Sequence, residues 1–128
     1  MMTFDRLQAG SVLGQCDFEF TEATFGEWWA LFPDDAASRP TMPSAMVAMV
    51  LMRTFMSIMR DRPPGNIHAG QKFRIVSLPV LGDRLSTQLR CLSKDIRNSR
   101  RWVTFGSETS DAAGRPLFFG EMTTLWAA

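Results

Sequence analysis

The only histidine of the chain, His68 in the stretch GNIHAGQKF, and the adjacent carboxylates Asp34 and Asp35 are the side chains best suited to moving protons. An imidazole ionises near neutrality, and a carboxyl group set among apolar walls beside a second one is pushed toward the same range. A lone histidine can equally serve structure, and an Asp-Asp pair can be a solvated turn. A third candidate is the backbone at Ser44, Ala45 and Met46, where a long helix begins. Unpaired N–H groups at a helix N-terminus stabilise negative charge that develops on a carbonyl oxygen. Arg97, Arg100 and Arg101 flank one turn and suit either phosphate groups or solvent. Covalent catalysis has no sequence support, because neither a Ser-x-x-x-Lys nor a Gly-x-Ser-x-Gly nucleophile setting occurs. Without a phosphate-cradling glycine loop or a metal-ligand cluster, no metal or cofactor is expected.

These groups must be held by a fold, and the hydropathy pattern outlines one. Met42, Met46, Met49, Met52, Met56 and Met59 follow one another at helical spacing, six of the nine methionines in the chain. Around them Ala45, Val47, Ala48, Val50 and Leu51 make the first turns apolar on every side, which marks a buried helix. The run is too short for a bilayer, which takes about 20 apolar residues. Pro43 suits the first turn, and Pro63, Pro64 and Gly65 stop the helix near Arg60. Flexible thioethers fill core gaps, and they can also line a groove for an acyl chain, with Met46, Met49 and Met52 as its wall. Before the helix, Val12 to Phe20 alternates as a strand does. Thr21 caps a short helix, Glu22 to Phe32, whose Phe25, Trp28, Trp29 and Phe32 are expected to face the core. Asp34 to Pro43 is a loop. Four strand patterns follow in Ile67–Leu78, Leu85–Cys91, Arg101–Ser110 and Leu117–Trp126, separated by turns at Pro79–Asp83, Asn98-Ser99 and Asp111–Pro116.

At 128 residues the chain makes one domain, 1–128, of α+β class. A net charge of +1 supplies no field for nucleic acid or an anionic membrane. Cys16 and Cys91 sit in apolar-alternating segments and read as reduced core thiols. No signal peptide is visible, which points to the cytoplasm. A fold this small encloses a deep pocket poorly, so an oligomer is expected.

Strand, short helix, long buried helix and four strands is an order that resembles the hotdog fold, in which an antiparallel sheet wraps a long central helix. Within that superfamily three segments, FEFTEATFGEWWALFPDD, SLPVLGDRLSTQLRCLSK and GRPLFFGEMTTLW, resemble the MaoC-like acyl-thioester hydratases and dehydratases. The Pro79, Gly82 and Asp83 turn is the most specific of these marks. The resemblance implies a coenzyme A or acyl-carrier thioester as substrate, a 2-enoyl or 3-hydroxyacyl group as the reacting part, and hydratase or dehydratase (lyase) chemistry without a cofactor. It also implies a homodimer or a heterodimer with another hotdog subunit. MaoC-like enzymes carry an aspartate and, five residues on, a histidine ahead of the central helix. Five residues after Asp34 and Asp35 this chain has Arg39 and Pro40. The implied site is therefore a departed one built from Asp34 or Asp35, His68 and the helix-terminal amides. The competing expectation is a non-catalytic, acyl-binding hotdog subunit that pairs with a catalytic one. A third is thioester hydrolysis with a carboxylate activating water.

Overall fold

The computed structural model describes all 128 residues. Its elements are β1 (Val12–Glu19), α1 (Glu22–Leu31), α2 (Met46–Ile58), β2 (Ile67–Ile75), β3 (Arg84–Arg97), β4 (Arg100–Ser110) and β5 (Pro116–Trp126). The strands form one antiparallel sheet in the order β1-β3-β4-β5-β2. β1 and β2 are therefore its edges. Strand period sorts the side chains to two faces. Leu85, Leu89, Cys91, Val103, Phe105, Met122 and Trp126 point inward and are buried. α2 lies on that inner face and adds Met46, Val47, Val50, Leu51 and Phe55. Gly120 keeps the inner face open where Ser107 needs room, since a Cβ there would stand 2.7 Å from the Ser107 Oγ.

Local chemistry explains most boundaries. Thr21 caps α1, its Oγ1 accepting the Thr24 N–H at 3.1 Å. Thr21→Ala is expected to cost about 1 kcal/mol in a denaturant melt. At Asn98 and Ser99, φ values of 52° and 62° give the two-residue turn that joins β3 to β4. β3 runs six residues past the expected Cys91, because a bulge at Leu92 lets pairing with β4 continue to Arg97. α2 starts four residues later than the methionine pattern suggests. Met42 is drawn into an extended segment instead, donating its N–H to Pro79 O at 2.8 Å beside a Thr41–Val80 bridge.

Two hydropathy readings need correction. On α1 only Phe25 is buried; Trp28 is half-buried, while Trp29 and Phe32 are exposed at 44% and 49%. Helical spacing located a common face, but only Phe25 of it is fully buried and Trp28 packs half-buried against the same cluster, while Trp29 and Phe32 turn to solvent. The methionine series also divides. Met42, Met46 and Met59 are buried, Met49 and Met52 half-buried, and Met56 exposed, because a straight helix carries residues 49, 52 and 56 away from the sheet.

Candidate functional site

The entry to α2 is built by three segments that meet. Besides the Met42–Pro79 bond, Leu81 N–H donates to Pro40 O at 2.9 Å, and Gly82 N–H to Phe20 O at 2.8 Å. The Asp83 Oδ2 accepts the Val80 N–H at 2.9 Å, and Gly82 takes the φ of 94° that the turn demands. The Pro79, Gly82 and Asp83 turn thus pins the segment that leads into the helix, at Pro40 and Met42, to the end of the first strand at Phe20.

The acidic segment is a short 3-10 helix, Pro33–Ser38, rather than an open loop. Asp34 is exposed. Asp35 is half-buried, and its Oδ2 accepts the Trp28 indole N–H at 2.8 Å. Trp28 itself lies against Phe32, ring centroids 4.7 Å apart. The sequence pattern assigned Trp28 to the core, against which its ring does pack, and missed this second role, which no local signal announces. At the helix entry, Met46 N–H already donates to Pro43 O at 3.0 Å, and the Met46 side chain is fully buried. That removes Met46 from the amide set and from the groove wall. Ser44 and Ala45 are exposed and neither N–H is given to another backbone group, so two donors of the expected three remain.

His68 stands elsewhere. β2 leaves the turn after α2 and runs back toward the helix entry, so its first residues lie beside the C-terminal end of α2. From His68 to Ile75 the strand covers about 23 Å. His68 is exposed, pairs in register with Thr124, and has its Nε2 3.0 Å from the Gln71 Oε1. Within one chain, therefore, His68 is not brought to Asp34, Asp35 or the helix amides. It shares its end of the sheet with the arginine turn: Thr124 pairs with Val103, and Arg101 opposes Trp126 two residues on. Arg97 stacks on Trp102 at 4.7 Å and pairs with Asp95 at 3.3 Å, while Arg101 reaches Ala127 O at 3.4 Å. Arg100 is exposed at the tip.

Three groups have ionisations shifted by their surroundings. The Arg39 guanidinium is held further above its ordinary range by its bond to, and charge attraction for, Glu22. Burial pushes the Cys91 thiol up, which keeps it protonated and unreactive. Asp111 is drawn below the usual carboxylate range, first by the Arg115 backbone N–H and then by the Ala113 N–H and the Arg115 side chain. None of the three lies in the candidate site. The two principal concavities, about 590 and 360 Å³, do not touch the α2 methionines either.

No protein-family model and no curated protein matches the sequence. Solved structures do match the fold along almost the whole chain. The MaoC-like dehydratase from Rhodospirillum rubrum is 17% identical with a TM-score of 0.78, the match covering 97% of this chain and 96% of that one. The R-hydratase PhaJ1 from Pseudomonas aeruginosa is 21% identical at a TM-score of 0.75, covering 98% and 85%. The HadBC 3R-hydroxyacyl-ACP dehydratase complex from Mycobacterium tuberculosis is 15% identical at 0.74, covering 91% and 96%. The chain has the α+β hotdog fold, and the resemblance to MaoC-like proteins seen in its sequence extends to its three-dimensional structure. No helix in it is long and apolar enough to cross a membrane.

Proposed function

We propose that this chain is a subunit of an acyl-thioester hydratase or dehydratase, acting on a 2-enoyl or 3-hydroxyacyl group carried by coenzyme A or an acyl carrier, and that a second hotdog subunit across β2 completes its site. The observation that carries the reading is the separation of His68 from the acidic segment and helix amides by nearly the length of α2. Proton transfer needs its groups within about 3 Å of the reacting atoms. Within one chain His68 and the acidic segment therefore do not act on the same substrate atoms. β2 is a free edge flanked by exposed Ile67, Ile75 and Val76, the kind of strand that accepts another. A partner carrying the intact aspartate and histidine would supply the chemistry, with Ser44 and Ala45 as carbonyl donors and Arg97, Arg100 and Arg101 as phosphate contacts. The R-hydratase and dehydratase structures that share the fold support the reaction class, and HadBC, a complex, supports assembly with a partner. The domain 1–128 would work in the cytoplasm. Hydrolysis is the weaker option, since Asp35 is engaged by Trp28 and Asp34 is open to solvent.

A second reading has one observation in its favour. If two copies pair antiparallel along β2, centred on Gln71, His68 of each comes level with Arg74 of the other, and so toward the other's helix entry. A homodimer would then assemble the site in trans. Co-purification with a hotdog protein bearing the intact pair, followed by assay of the chain alone and of the complex, separates the two. Turnover by the homodimer alone selects the second reading.

The acyl chain is assigned to the outward side of α2, where Met49, Met52 and Met56 form a stripe leading from Ala45. Met49→Trp is expected to weaken medium-chain acyl-CoA binding at least tenfold in calorimetry while leaving the circular-dichroism spectrum unchanged. Unchanged binding would move the groove off this helix.

A further inference from the structure

We propose that the end of the molecule around the β3–β4 hairpin tip docks on an anionic lipid surface, its arginines against the headgroups and Ile96 inserted among them. This goes beyond the acyl-thioester reading and does not rest on it. The net charge of +1 is the small difference between two poles. β3 connects them, with Arg84 at one end and Arg97 about 40 Å away at the other. At the Arg84 end stand Glu19, Glu22, Asp34, Asp35 and Asp83, and the cations there are already paired: Arg84 with Glu19, Arg39 with Glu22, and Arg115 with Asp111. The other end is built from four segments tied together. Lys94 Nζ donates to Phe4 O at 2.8 Å, Met2 N–H to Asp61 O at 2.6 Å, the Trp126 indole to Met2 O at 3.0 Å, and Arg101 to Ala127 O at 3.4 Å. These ties gather Arg6, Arg60, Arg62, Lys94, Arg100 and Arg101, none of which belongs to an ion pair, beside Arg97, which pairs with Asp95. Only Asp5, Asp61 and Asp95 oppose them.

Part of this charge serves the fold. Arg62 donates to Met59 O at 3.0 Å and so satisfies a carbonyl at the last turn of α2. The hairpin arginines do not share that explanation. Pairing of β1 with β3 stops at Arg90, so the hairpin runs on without that neighbour, and residues 95–101 are exposed throughout. The turn at Asn98 and Ser99 sets Arg97 opposite Arg100, and Ile96 opposite Arg101. Ile96 is 64% exposed among them. In water its aliphatic surface contributes nothing, whereas burial at a bilayer interface is favourable. The Trp102 ring lies under the Arg97 guanidinium at 4.7 Å, which leaves no free aromatic face for the base stacking a single-stranded nucleic acid uses. An acidic protein surface would match the arginines alone. An anionic bilayer sets phosphates and hydrocarbon in adjacent layers, which is what arginines around one aliphatic side chain fit. The same surface repels the acidic pole, so the chain stands on this end with the entry to α2 directed away.

Co-sedimentation of the intact protein with vesicles tests this, using phosphatidylglycerol and phosphatidylcholine in equal parts, and phosphatidylcholine alone. The parent is expected to pellet with the mixed vesicles at low salt and not with the neutral ones. It should be released as salt approaches about 1 M, where charge attraction is screened within about 3 Å. Arg100→Gln combined with Arg101→Gln should lower the partition coefficient about thirtyfold, each basic side chain at an anionic surface contributing about fivefold. Ile96→Ser should lower it about tenfold and leave acyl-CoA affinity unaltered, which separates a lipid surface from the phosphates of a soluble thioester. Arg84→Gln, at the other pole, should change nothing. The proposal is overturned if the parent does not pellet with the mixed vesicles at low salt, if it pellets equally with neutral ones, or if either the arginine double variant or Ile96→Ser pellets like the parent. Tighter binding to polyglutamate or to an oligothymidylate than to the mixed vesicles also overturns it, and assigns the pole to an acidic protein or a nucleic acid. Circular dichroism of each variant confirms that lost pelleting is not a lost fold.

Discussion

The isolated chain is expected to bind acyl-CoA yet to show no turnover on 2-enoyl or 3-hydroxyacyl thioesters, and to form an active complex with a hotdog subunit that carries the intact Asp and His pair. Hydration of a 2-enoyl thioester moves one proton to the α-carbon and takes another from water. A positioned acid or base contributes roughly 10² to 10⁴ in rate to such a step. In this chain the one imidazole is held at the far end of β2 with Gln71, and the half-buried carboxylate is bonded to Trp28. His68→Ala in the complex should then change turnover less than about tenfold, because the base resides on the other subunit. If the homodimer is active and His68→Ala lowers kcat by 10² to 10⁴ with KM little altered, His68 is the base in trans and the partner-subunit reading fails. Asp35→Asn and Asp34→Asn complete the set. Activity that persists without His68 but falls with Asp35→Asn would move the chemistry to the acidic segment.

The parts of this structure that sequence displayed clearly are those where one residue type has one local consequence. Pro63, Pro64 and Gly65 had to stop α2, and Thr21 had to start α1. The strand alternations in 85–91 and 101–110 had to put Leu85, Leu89, Val103 and Phe105 on one face. What was not legible depends on elements meeting. Nothing local in FPDDAAS announces that Trp28 reaches Asp35, and Asn98-Ser99 marks a turn without revealing that Leu92 bulges to let β3 run on to it. The methionine stripe was read as one face because spacing is blind to which side the sheet will take. Residue type does not say which end of α2 His68 stands at: a strand that follows a helix begins where the helix ends, so topology sets it apart from the amides.

Phe105→Ala is expected to be the most destabilising single truncation in the core. The ring is 1% exposed, makes an edge contact with Phe55 at 5.2 Å, and lies 5.4 Å from Trp126. These three rings join α2, β4 and β5, and the Trp126 indole N–H in turn holds Met2 O at 3.0 Å. Removing a buried phenyl group costs about 3–5 kcal/mol in lost transfer energy and residual cavity. Its neighbours are rings fixed by their own packing, which collapse poorly into the space, so the upper part of that range applies. Loss of the aromatic contacts acts in the same direction. Against a total stability of about 5–15 kcal/mol for a domain, this removes a third or more, and the melting temperature should fall by roughly 15 °C. Phe105→Leu refills most of the volume and should cost less than half as much. A Phe105→Ala loss under about 1.5 kcal/mol would mean that the Phe55 and Trp126 rings close over the gap, and that the link between α2 and the end of the sheet is looser than this packing indicates.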